Sequence, residues 1–104
     1  MKELLRTPGF SGKDIFNSAS ALKLSDMEGQ TISVTDLYIV EKPDKDGVDT
    51  ISACLKSADS TVYATISQSI IGQLDGLKEL LPCDIKVVGK KSNQGRTYFM
   101  LELV

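Results

Sequence analysis

The chain has 104 residues, of which 41% are hydrophobic and 25% are charged, and its formal net charge is −2. This length and composition predict one small globular domain with a single core. The sequence contains no run of roughly 18 apolar residues, which a membrane-spanning helix requires, and its N-terminus lacks the apolar stretch of a secretory signal. We therefore expect a cytoplasmic protein without a membrane partner.

Side-chain chemistry argues against an enzyme. Histidine is absent, which excludes histidine-based triads and removes the commonest metal ligand. Cys54 and Cys83 have no CxxC spacing, so neither a zinc site nor a disulfide framework is indicated. The turn DKDG at 44–47 begins like a calcium loop but continues with Val48 where an oxygen ligand belongs. We expect no catalytic residues, no metal site and no cofactor.

The first 24 residues show no sustained period of helix or strand. Pro8, Gly9 and Gly12 interrupt them, and their apolar side chains are scattered. We predict an irregular N-terminal arm over residues 1–24, which lays a few apolar side chains on the body of the protein and has room for one short helical turn. Residues 25–104 are expected to form the domain proper.

A long first strand is predicted over residues 30–40, because β-branched and aromatic residues alternate there. The alternation changes phase along the strand. Ile32 and Val34 share one face, whereas Leu37 and Ile39 have the opposite parity. One inserted residue between the two pairs, a β-bulge near residue 35, would return both pairs to one core.

A hairpin is predicted after the turn at 43–47. Residues 50–56 and 61–66 each alternate between apolar and polar side chains. We expect the apolar set of the second strand, Val62, Ala64 and Ile66, to face the core. Tyr63 is then predicted to face solvent.

The period changes to that of a helix over residues 67–82, where isoleucine and leucine recur at helical spacing. Ser67 or Ser69 can cap its start, and Pro82 marks its end. Two strands close the chain, at 84–89 and 96–104, and the turn KKSNQG joins them. Alternation directs Lys86 and Tyr98 outward.

The resulting order of elements, β-β-β-α-β-β, predicts a mainly β fold. A bent first strand and a helix between the third and fourth strands are features of the five-stranded OB barrel, whose helix covers one opening. The predicted architecture is therefore an OB-like barrel preceded by an irregular N-terminal arm. Other small α+β folds share the same count of elements.

Charge and aromatic residues indicate where a ligand would bind. Residues 85–104 have a net charge of +3 and residues 1–84 a net charge of −5, and salt screens charges beyond about 8 Å, so a ligand on the last hairpin would experience the local sign. Three tyrosines on three strands are all predicted to point outward. Flat aromatic faces beside cations suit unpaired bases and their phosphates. The predicted nucleic-acid-binding residues are Tyr38, Tyr63, Tyr98, Lys86, Lys90, Lys91 and Arg96.

Residues 50–104 also resemble a known family. The phrase TISACLKSADSTVYATIS, the Ile/Leu-rich helix, the phrase IKVVGKKSNQGRTYF and the ending LELV occur in this order. This set is similar to the single-stranded DNA-binding proteins of small tailed phages with protein-primed DNA replication, and residues 1–49 match them only loosely.

The resemblance implies a non-enzymatic SSB that coats displaced strands during phage DNA replication, in the cytoplasm of the host cell. Tyrosines contact DNA in that family. By position, the resemblance implies this role first for Tyr63, then for Tyr38, and for Tyr98 through its place in an aromatic pair.

Other interpretations stay open at this point. The tyrosines can instead be half-buried at the barrel rim, with the lysines as solubility charges on an exposed edge. A protein-interaction module, such as a phage factor docking on a host or replication protein, would use the same face, because tyrosine and arginine also dominate protein hot spots. A metabolic enzyme ranks below it. The pattern does not choose between DNA and RNA, and it leaves self-association or cooperative binding along the strand undecided.

Overall fold

The computed structural model describes residues 2–104, in which seven strands and two α-helices are formed. The strands are β1 (Lys2–Arg6), β2 (Leu22–Lys23), β3 (Thr31–Pro43), β4 (Asp49–Ser57), β5 (Val62–Thr65), β6 (Cys83–Lys91) and β7 (Thr97–Leu103). The helices are α1 (Gly12–Asn17) and α2 (Gln68–Lys78). Short 3-10 helices lie at Ser18–Ser20 and Leu24–Met27.

The strands form one sheet in the order β2-β5-β4-β3-β6-β7, and β1 adds to β3. On one edge β3 pairs with β4, and on its other edge it pairs with β6 at Thr31–Val34 and with β1 at Tyr38–Glu41. The sheet curls into a half-barrel, which confirms the mainly β class. The predicted count of five strands is too low, because the N-terminal segment contributes two short strands of its own.

The bulge predicted in the long strand is present. Val34 lies opposite Ser57 and Asp36 lies opposite Lys56, so two steps along β3 correspond to one step along β4. Thr35 is the inserted residue. The insertion returns the apolar residues on both sides of it to the same face of the sheet. These four residues are all buried in the main core: Ile32, Val34, Leu37 and Ile39.

The main core lies between the inner face of the curled sheet and α2. Ser67 caps this helix by accepting a hydrogen bond from the backbone N–H of Ile70, as the sequence predicts. Ile70, Leu74 and Leu77 are buried against the sheet. Because these three side chains recur at helical spacing, one face of α2 closes the core. Within residues 2–104, neither helix has the length and apolar character that a membrane crossing requires.

A second apolar cluster lies on the opposite side of the sheet, which we call the outer face. It is made by Phe10, Tyr38, Val40, Cys54 and Val62. Residues 7–21, which we call the covering segment, contribute Phe10 and the partly buried Ile15 and Ala21. The predicted arm therefore does lay apolar side chains on the body, but it is more regular than expected. Its short helix α1 starts with a capping box between Ser11 and Asp14.

The predicted orientation of β5 is wrong. Leu55 pairs with Tyr63 on the core face, whereas Lys56 pairs with Val62 on the outer face. Because the covering segment buries the outer face of β5, this strand has apolar neighbours on both sides. Alternation can orient a strand only when one of its faces meets water.

Candidate nucleic-acid interface

The hairpin of β6 and β7 presents a ladder of side chains on the outer face. Residues that pair directly across two antiparallel strands project to the same side of the sheet. The pairs on the core side include Ile85 with Leu103 and Val87 with Leu101. The pairs on the outer face are Lys86 with Glu102, Val88 with Met100, and Lys90 with Tyr98. The predicted outward orientation of Lys86 and Tyr98 is therefore confirmed.

Tyr98 is the predicted tyrosine that solvent can reach. Its exposed fraction is 36%, and Lys90 lies directly across the ladder from it. The next pair along, Val88 and Met100, is half-buried. Tyr98 thus stands at the end of a short apolar strip with a cation beside it, which is the arrangement that a stacked base with an adjacent phosphate requires.

The cations of the hairpin separate into two groups. Lys86 and Lys90 project from the outer face, and the alternation continues to Arg96, whose backbone carbonyl accepts a hydrogen bond from Ser92 at 2.8 Å. Lys91 pairs with Thr97 and has the opposite parity. The structure therefore brings three of the four predicted cations to the side of Tyr98 and directs the fourth away from it.

Acidic groups partly offset these cations. The Lys90 Nζ lies 3.9 Å from the Glu102 Oε2, and about half of each side chain is exposed, so this pair is weak. Asp84 also lies on the outer face, where it accepts a hydrogen bond of 2.7 Å from the Ser33 hydroxyl. The positive end of the face is therefore the hairpin tip, at residues 90–96, which no acidic residue interrupts.

Tyr38 is on the outer face, as predicted, but its predicted exposure is wrong. Only 3% of the residue is accessible, because the Phe10 ring stacks on it with 5.0 Å between ring centroids and 11° between ring planes. This burial raises the pKa of the Tyr38 phenol. Tyr38 cannot contact a ligand while Phe10 occupies this position.

Tyr63 does not belong to the outer face at all. It is 8% accessible and lies in the main core, so its predicted position on the surface is wrong. The three tyrosines consequently do not form one exposed platform. A signal of this burial is present in the sequence: the runs LYIV at 37–40 and VYA at 62–64 are continuously apolar or aromatic, which is typical of strands buried on both faces.

Lys56 and Asp36 are polar residues of the outer face that the sequence reasoning missed. They pair directly across β3 and β4, and both bind the covering segment. The Lys56 Nζ donates to the Asp14 carboxylate at 2.9 Å and to the Gly9 carbonyl at 3.1 Å. This hydrogen bond from Lys56 and the backbone N–H of Ser11 hold the pKa of Asp14 below its ordinary value. The outward parity of Lys56 in the predicted strand was the available signal.

Within residues 2–104, no three Cys, Asp or Glu side chains converge closely enough to hold a metal ion. Comparisons of the chain with family models, with curated proteins and with solved structures find no match. The geometry of the outer face is therefore the basis for a functional conclusion.

Proposed function

We propose that this protein is a non-sequence-specific single-stranded DNA-binding protein with an OB-type fold, which coats displaced strands during phage DNA replication. It acts by binding and not by catalysis. The observation that carries the proposal is the position of Tyr98, which is 36% exposed on the same face as Lys86 and Lys90, with Arg96 two residues before it in the chain. An accessible aromatic ring beside three cations matches the chemistry of an unpaired, phosphate-linked strand.

The order of the strands supports the OB assignment. Without the two short N-terminal strands, the sheet reads β5-β4-β3-β6-β7, and α2 connects β5 to β6. This is a five-stranded sheet with a long, bent first strand at its centre, open between its third and fifth strands. In OB folds the loop between the last two strands contacts nucleic acid. Here that loop is residues 92–96. Lys91 directly precedes it, and Arg96 is its last residue.

Stacking and phosphate contacts set the expected affinity for single-stranded DNA and its dependence on salt. Stacking of a base on an aromatic ring contributes about 1–3 kcal/mol. Each phosphate contact on a single strand contributes about −0.7 to the slope of log K against log salt, so three outer-face cations predict a slope near −2. Because Lys91 faces the other side, the slope is expected to be shallower than the value near −3 that four contacts would give.

Fluorescence anisotropy of a labelled oligo(dT) tests the proposal. Wild-type protein should bind oligo(dT) in preference to duplex of the same length. Tyr98→Ala should weaken binding roughly tenfold, as expected for the loss of one stacked base. Lys90→Gln should reduce the salt slope, whereas Lys78→Gln, a matched change at the exposed end of α2, should not. Equal affinity in all variants would remove the outer face of the hairpin as the binding surface.

A second function, a protein-interaction module, is favoured by a different observation. A groove of about 470 Å³ follows the opening between β5 and β7, where Ile66 and Phe99 line it with Lys23. A protein partner would use such an apolar surface. No binding of oligo(dT) at low salt by the wild-type protein would favour this second function over the first.

A further inference from the structure

The covering segment occupies the part of the outer face that an OB fold normally offers to its ligand. In OB folds the face of the second and third strands binds nucleic acid, and these strands correspond to β4 and β5 here. Building on the proposed function, we infer that residues 7–14 fill a nucleotide-binding subsite and that single-stranded DNA competes with them for it. DNA binding then requires displacement of the covering segment.

The first reason is the aromatic contact. Phe10 lies nearly parallel to Tyr38, with 5.0 Å between the ring centroids, and is 1% accessible. A nucleic-acid base stacks on an exposed tyrosine with the same near-parallel arrangement of rings. Phe10 therefore has the position of a base on a platform that belongs to the outer face. When Phe10 leaves, Tyr38 becomes available on the same side of the sheet as Tyr98.

The second reason is the charged contact four residues further along. Asp14 places a carboxylate oxygen 2.9 Å from the Lys56 Nζ. A phosphate oxygen is the other anionic group that a lysine at this position would bind. Because Val62 and Lys56 are cross-strand neighbours, and Val62 contacts the cluster around Tyr38, the anion site adjoins the stacking site. Phe10 and Asp14 together reproduce the base and the phosphate of one nucleotide.

The covering segment can detach from the outer face while both of its ends stay attached to the sheet. β1 pairs with β3 before it, and β2 pairs with β5 after it, so residues 7–21 are a loop with both ends attached. Besides Lys56, Asp36 binds this segment, and its carboxylate accepts hydrogen bonds from the Thr7 hydroxyl at 2.6 Å and the Gly9 N–H at 3.0 Å. Asp36 has no counterpart in a nucleotide contact, so weakening its hold releases the segment but preserves the subsite.

Gly9→Ala tests the inference without a change in charge. A methyl group at Gly9 would collide with the Asp36 carboxylate, whereas Gly12 has no atom nearby, so Gly12→Ala is the matched control. Affinity for a ligand falls in proportion to the fraction of protein that is competent to bind it. We expect Gly9→Ala to bind oligo(dT) about tenfold more tightly than wild type and Gly12→Ala to bind like wild type. Tyr38→Leu in the Gly9→Ala background should cancel the gain.

Tryptic cleavage after Lys13, an exposed residue of α1, reports release of the segment independently of affinity. Oligo(dT) should accelerate this cleavage in the wild-type protein, and duplex should not. Unchanged or slower cleavage at saturating oligo(dT) would overturn the inference. A Gly9→Ala or Phe10→Ala protein that is cleaved faster but binds no more tightly would overturn it as well. In both cases binding that still depends on Tyr98 would leave the proposed function intact, whereas a wild-type protein that binds no oligo(dT) would end both.

Discussion

Gln73 offers the sharpest test of how the open edge of the sheet is held. This residue lies in the middle of α2, and its side-chain amide contacts the backbone of Leu101 in the edge strand β7. The Leu101 N–H donates to the Gln73 Oε1 at 2.8 Å, and the Gln73 Nε2 donates to the Leu101 carbonyl at 3.0 Å. One side chain therefore satisfies both backbone groups that a neighbouring strand would otherwise pair with.

Gln73→Met removes both hydrogen bonds and keeps the length of the side chain. Each net hydrogen bond contributes about 1 kcal/mol, so the free energy of unfolding should fall by about 2 kcal/mol. Urea denaturation followed by circular dichroism measures this change, and the dependence on urea concentration should be unaltered. Gln68→Met is the matched control, because the Gln68 amide is exposed and bonds carbonyls that water can reach.

Hydrogen exchange locates the effect. In the wild-type protein the Leu101 amide should be protected, and in Gln73→Met it should exchange faster than the amides that bond β6. A loss of unfolding free energy below about 0.5 kcal/mol, together with unchanged protection of the Leu101 amide, would contradict this role of Gln73. Such a result would mean that the Gln73 side chain does not protect the edge strand β7.

Two further predictions concern stability. Tyr63→Ala should lower the free energy of unfolding by about 3–5 kcal/mol, because Tyr63 is buried in the main core. Tyr98→Ala should lower it by less than about 1 kcal/mol, because Tyr98 is exposed. Urea denaturation of both variants distinguishes these values, and equal losses would contradict the placement of the two rings. The Asp14 carboxylate, whose pKa the hydrogen bond from Lys56 lowers below 3.8, stabilises the protein above that pH, and this contribution disappears as the pH falls through the lowered value. Asp14→Asn should therefore show a smaller loss of thermal stability on acidification than wild type, and identical acid profiles would contradict the ion pair.

The sequence predicted those elements that bury one face only. The apolar face of α2 and the orientation of β6 and β7 follow from local periodicity, because each element has one apolar side and one polar side. Lys86 and Tyr98 were placed correctly for this reason. The helix ends at Lys78, earlier than the end predicted at Pro82. The bulge at Thr35 follows from the change of phase between the two apolar pairs of β3. In these elements the pattern of a few neighbouring residues is enough to predict which face is buried.

The sequence did not predict the burial of Tyr38 and Tyr63. Both rings lie on strands that are covered on two sides, and the second cover comes from residues 7–21. Phe10 and Tyr38 are in contact although they lie 28 positions apart in the chain. The segment that contains Phe10 has no regular alternation of apolar and polar residues from which its buried face could be predicted. The outer cluster is therefore a long-range property, and local alternation assigned its residues to solvent or to the wrong side.

Chemical-shift mapping on the isotope-labelled protein shows whether single-stranded DNA lies on the outer face of the β6–β7 hairpin, as we propose. Oligo(dT) should shift the amides around Lys86, Lys90, Arg96 and Tyr98, while the solvent-facing side of α2 stays unaffected. Shifts confined to α2, or an unchanged spectrum at saturating oligo(dT) and low salt, would contradict the claim.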